Sequence, residues 1–62
     1  MADNKVYEIQ VALRDAGFYD DKLDGIFGPK TFNSVKRFQE VNRLIIDGEV
    51  GAQTATALGI KL

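Results

Sequence analysis

Three carboxylates, Asp20, Asp21 and Asp24, lie within a few residues of one another in the segment FYDDKLDGIFG. Clustered carboxylates can act as general acid and base, or they can hold a hard cation. Acid–base work needs one of them pushed toward neutral pH by an apolar wall. This stretch is acidic and rich in turn formers, which predicts an exposed loop without such a wall. A calcium loop begun at Asp20 would place Lys22 at the third ligand position and Thr31 where a bidentate Glu belongs. A cation among the ligands makes that site poor. The single serine, Ser34, falls mid-helix, and the chain has neither His nor Cys to activate a hydroxyl or to serve as nucleophile. The same absence removes disulfides and the usual zinc sites. The expectation is a non-catalytic chain with no cofactor and no metal.

The strongest pattern is a repetition. LDGIFGPKT, from Leu23 to Thr31, returns as IDGEVGAQT, from Ile46 to Thr54. Aligned as Asp-Gly-x-apolar-Gly-x-x-Thr, the copies pair Asp24, Gly25, Phe27, Gly28 and Thr31 with Asp47, Gly48, Val50, Gly51 and Thr54. Asp-Gly makes a tight turn, with the carboxylate accepting backbone N–H groups and Gly free to take a positive φ. Phe27 and Val50 are expected to drop into the core and pin the loops. Thr31 and Thr54 fall in a first helical turn, where the hydroxyl is expected to bond backward to the backbone. The repeat therefore describes two loop-to-helix joints.

The elements around these joints are helical. Lys5 to Ala16 carries Val6, Ile9, Leu13 and Ala16 at helical spacing, and Gly17 is a natural stop. A second helix opens at Gly28-Pro29, with Phe32, Val35 and Phe38 as its buried stripe and Lys36 with Glu40 as a possible ion pair. A short third helix runs from about Ala52 to Leu58, with Val50, Thr54, Ala57 and Leu58 facing inward. Ile26-Phe27 and Glu49-Val50 could pair briefly as extended chain. The predicted fold class is all-α, a compact three-helix domain with two repeated loop-to-helix joints.

Size and charge narrow the function. With 62 residues, only one domain fits, over 1–62, and its core must be small. Hydrophobic residues make up 45%, normal for a globular chain. Eight basic against nine acidic side chains give a net charge of −1, without the surplus that nucleic-acid binders use to displace counterions. No apolar run approaches a membrane span. Neither nucleic acid nor membrane is an expected partner.

Gln10 with Leu13, Gly17-Phe18, DGIFGPKT, Val35 with RFQ, then Leu44, DGEVG, Thr54 and Leu58 follow one another in an order that resembles the small peptidoglycan-binding domain found beside cell-wall hydrolases. The similarity covers about residues 6–58. It implies a three-helix fold and a targeting role, holding an amidase, muramidase, peptidase or transglycosylase against murein in bacteria or in phage lysis enzymes. Similar domains in the pro-segments of animal matrix metalloproteases serve another role. The alternative is accordingly a protein-interaction or structural module, for example in a phage particle or a pro-segment. The sequence departs from the family pattern at Arg43, where glycine is usual, at Ile45, where proline is common, at Ala52, where the Gly-Pro start is often repeated, and at Ala55, where an exposed aromatic is often found.

Peptidoglycan offers hydroxyl- and amide-rich sugars and stem peptides bearing carboxylates. The ligand site implied by the resemblance combines an aromatic face, hydrogen-bonding amides or carboxylates, and a cation. Tyr19, Asp24, Lys30, Arg43, Asp47 and Gln53 lie at or beside the matched loops, which are expected to meet around the second helix. Gln10 and Gln39 match family positions near the apolar stripes and are expected to make structural hydrogen bonds. The expected site of action is the cell wall, periplasm or exterior. The opening MADNKVYEIQ has no apolar h-region, so export by another route, release by lysis as from a phage-encoded protein, or excision from a longer protein is expected.

Overall fold

The computed structural model describes residues 2–62. The element order is α1 (Asn4–Asp15), α2 (Pro29–Val41) and α3 (Ala52–Leu58). Among the described residues there is no strand, and the two extended pairs do not form. α1 starts one residue earlier than its apolar stripe suggests because Asp3 caps it. The Asp3 carboxylate accepts the N–H groups of Lys5 at 2.7 Å and Val6 at 3.3 Å. α2 starts at Pro29, whose missing N–H costs nothing at a first helical position.

All three helices end in the same way. Gly17, Arg43 and Gly59 take positive φ values of 88°, 58° and 81°. The following residue then returns its N–H to the helix: Phe18 to the Leu13 carbonyl at 2.8 Å, Leu44 to Gln39 at 2.8 Å, Ile60 to Ala55 at 3.0 Å. Companion bonds join Gly17 to Arg14, Arg43 to Glu40 and Gly59 to Thr56. These are three Schellman closures. Each turns an apolar residue inward, and Phe18, Leu44 and Ile60 all pack against the core.

The core itself is Ile9 and Leu13 of α1, Tyr19 after it, and Val35 and Phe38 of α2. Phe18 meets Phe38 edge to face at 5.4 Å between ring centroids. Leu23, Val50 and Leu58 close the periphery. Several expected core positions lie elsewhere. Ala16 is exposed because the helix has already ended there. Phe32 and Phe27 remain 40% and 39% exposed, so Phe27 does not pin its loop as Val50 does. In α3, Thr54 and Leu58 face inward as expected, but Ala55, 3% exposed, joins them in place of Ala57, which faces solvent. The position where relatives often carry an exposed aromatic is thus buried here. Lys36 lies over the Phe32 ring, 5.5 Å from its centroid, rather than pairing with Glu40.

Candidate functional site

Each of the two repeated loops is built around a glutamine from the preceding helix. Gln10 is fully buried and Gln39 is 1% exposed. The Gln10 amide donates to the Asp24 carboxylate at 3.0 Å, the Ile26 carbonyl at 3.1 Å and the Thr31 hydroxyl at 3.0 Å. Its oxygen accepts the Gly25 N–H at 2.9 Å. Gln39 does the same for the second copy. It donates to Asp47 at 2.9 Å, Glu49 O at 2.8 Å and Thr54 Oγ1 at 3.1 Å, and it accepts from the N–H groups of Asp47 and Gly48. One buried amide thereby ties the first, third and last parts of each motif together. A buried amide left without partners would cost about 1–3 kcal/mol per unmet group. Among the described residues, no buried side-chain polar atom is left unpaired.

This arrangement reassigns several residues. The Thr31 and Thr54 hydroxyls accept from the glutamines rather than bonding back to the backbone. Asp24 and Asp47 each use Oδ1 twice, for the glutamine amide and for the N–H two residues on, at Ile26 or Glu49. Asp24 is held below the ordinary carboxylate range by the Ile26 N–H first and the Gln10 amide second. For Asp47 the Glu49 N–H leads and Gln39 follows. Both carboxylates are favoured in their charged form chiefly because the loop supplies donors; the Lys22 charge adds the smallest contribution at Asp24 and no cation contributes at Asp47.

Outside each glutamine cradle lies a hollow, and six lining positions correspond between the two, while Tyr19 and Asp21 belong to the first alone and Gln39 and Ile45 to the second alone. Asp24, Ile26, Gly28, Pro29, Lys30 and Thr31 line the first; Asp47, Glu49, Gly51, Ala52, Gln53 and Thr54 line the second. The backbone plan is shared and the outward chemistry differs. The first hollow sets the Lys30 ammonium, which suits a carboxylate, beside the carboxylates of Asp21 and Asp24. The second offers the neutral Gln53 amide beside Ile45, which is 74% exposed. Ile45 had no place among the sequence candidates, since one apolar residue in a short run gives no sign of which side faces out.

The six candidates therefore divide. Tyr19, Asp24 and Lys30 border the first hollow, Asp47 and Gln53 the second, and Arg43 lines neither. Arg43 occupies the left-handed position that ends α2, which is the physical reason a glycine suits that place. Tyr19 is a core residue, 5% exposed, and its hydroxyl donates to the Lys22 carbonyl, so it presents an edge rather than an open aromatic face. The second loop lies against the start of α2. The Phe32 ring covers Gly48, where an added Cβ would sit 2.2 Å from Cε1. Gly25 is covered instead by the Asp3 backbone, and Asp3 N–H donates to Gly25 O at 2.9 Å. Among the described residues no cluster of three metal-ligating side chains occurs.

Comparison with known proteins adds the following. A family model described as a peptidoglycan binding domain matches residues 2–58. The chain is 44% identical to the N-acetylmuramoyl-L-alanine amidase CwlL of Bacillus licheniformis over 94% of its own length and 18% of the amidase. It is 43% identical to the spore cortex-lytic enzyme of Bacillus cereus over 86% of its length and 20% of that enzyme. It thus spans about a fifth of the length of the curated relatives it matches. Among solved structures, the N-terminal domain of SleB superposes with a TM-score of 0.91 at 40% identity, covering 94% of this chain and 80% of that one.

Proposed function

Because this chain belongs to the peptidoglycan binding domain family, we propose that it is a non-catalytic module that binds the bacterial cell wall and holds a murein hydrolase, linked or separate, against its substrate. The observation that carries this reading is the family match across residues 2–58. Relatives that act on cell walls or spore cortex by name, such as the amidase and the spore cortex-lytic enzyme, support it. The site of action is then the cell wall, periplasm or cell exterior.

The two hollows are the proposed contact surface. Lys30 pairs with a stem-peptide carboxylate, and Gln53 exchanges hydrogen bonds with peptide or acetamido groups. Asp24 and Asp47, both exposed, offer carboxylate acceptors, Tyr19 contributes an edge, and Arg43 adds charge from outside the two hollows. Co-sedimentation with purified sacculi tests the reading. Wild type pellets with the wall, and a Lys30→Ala, Gln53→Ala double variant of unchanged helicity binds about tenfold more weakly. Lys30 and Gln53 are exposed and carry no fold-supporting bond, so they report on contact; removing either aspartate would also release its loop. A wild-type chain that stays in the supernatant defeats the reading and favours a protein-interaction role.

A further inference from the structure

The outer face of α1 carries a shallow, mainly apolar hollow formed by Asn4, Lys5, Tyr7, Glu8 and Val11. It lies away from the six candidates discussed above. Tyr7 is 47% exposed there, and its hydroxyl makes no hydrogen bond to another described residue. Most other aromatic rings have structural work. Phe18 and Phe38 pack against each other, Tyr19 closes the core, and Phe32 covers Gly48.

The rim of this hollow is fixed in advance. Lys5 Nζ donates to Glu8 at 3.0 Å and to the Lys61 carbonyl at 2.6 Å, which holds the lysine stem along the hollow's edge. Ordering these side chains beforehand removes part of the entropy that binding would otherwise cost. The helix carrying them meets the first repeated loop through its cap residue, Asp3, by one backbone bond. Tyr7 N–H donates to Asp3 O, and Asp3 N–H to Gly25 O, both at 2.9 Å. The α1 hollow and the first loop thus belong to one rigid piece.

An apolar floor with an aromatic ring and a polar rim matches a pyranose, which has an apolar face of C–H groups and an equatorial belt of hydroxyls. Resting on the reading that peptidoglycan is the ligand, we propose that this hollow is a glycan subsite, with the Tyr7 ring stacked on an N-acetylated sugar, the Glu8 carboxylate accepting from its hydroxyls and the Asn4 amide bonding its acetamido group. The α1 face would then read the glycan strand while the loop hollows read the stem peptide.

The test uses glycan strands stripped of stem peptides, titrated into the isotope-labelled chain and followed by amide chemical shifts. Wild type is expected to bind them with shifts centred on residues 4–11. Tyr7→Ala is expected to weaken binding about tenfold, and Tyr7→Phe to stay within about twofold, because the ring face makes the contact. Circular dichroism checks that the variants fold, as a half-exposed side chain allows. Wild-type strength in Tyr7→Ala, or shifts confined to the loops, overturns the subsite. Binding to intact sacculi without binding to stripped strands overturns it too, and leaves the cell-wall reading standing. Failure to bind either material overturns both.

Discussion

At the scale of single residues, Asp24 and Asp47 tie local hydrogen bonding to the stability of the whole domain. Their folded pKa values lie below those of an unfolded aspartate because loop N–H groups and buried amides stabilise the charged form. A depressed carboxylate contributes stability that is present above its unfolded pKa, about 3.9, and lost as pH falls through the lower folded value. The urea midpoint should therefore hold steady above about pH 5 and fall below pH 4. An Asp24→Asn, Asp47→Asn variant should show a flatter profile in that acid range, and an unaltered profile would refute the assignment. Gly48 makes a different demand. Gly48→Ala brings a Cβ against the Phe32 ring and strains a positive φ, so it should cost ~2–3 kcal/mol. In a Phe32→Ala background the steric part disappears and a cost of ~1 kcal/mol should remain. Equal costs in both backgrounds, measured by urea unfolding, would show that the ring moves aside freely.

At the scale of elements, the three Schellman closures explain both what sequence reasoning reached and where it stopped. Gly17 announced the end of α1 by its own chemistry, whereas at Arg43 only the family resemblance marked a glycine's place, and the observed φ of 58° supplies the physical reason. Arg43→Gly should raise stability by ~0.5–1 kcal/mol, the left-handed strain relieved less the greater freedom of an unfolded glycine. A lower thermal midpoint in that variant would refute it. Helix existence and order followed from apolar spacing, and so did the structural role of Gln10 and Gln39. Their joint grip on the repeated motif was not legible, since Gln10 precedes Asp24 by fourteen residues and Gln39 precedes Asp47 by only eight. The helices reach equivalent places by unequal routes, which a linear alignment of the loops does not reveal. One position of the α3 face was misjudged for a related reason: Thr54 and Leu58 turn inward as expected, but seven residues give barely two turns, too few for spacing to choose between Ala55 and Ala57. Among the candidate site residues, loop position was readable and burial was not, so Tyr19 was grouped with exposed neighbours.

At the scale of the molecule, a buried cluster of five residues, with Ala55 buried beside it, carries a 62-residue chain that has no cysteine. Total stability for such a size is about 3–9 kcal/mol. Leu13 is fully buried at the centre of that core, and Leu13→Ala should cost ~3–4 kcal/mol, enough to leave much of the population unfolded at 37 °C. Retained cooperative melting near the wild-type midpoint would contradict this. The glutamine cradles have a further consequence for how such a domain can change over generations. Gln10 and Gln39 meet the internal needs of their loops, so Lys30 and Gln53 carry none of the folding load. Drift at those two places can retune what the surface prefers, one copy at a time, while the inherited scaffold stays in use. A duplicated joint of this kind lets selection explore on one side and keep a working spare on the other.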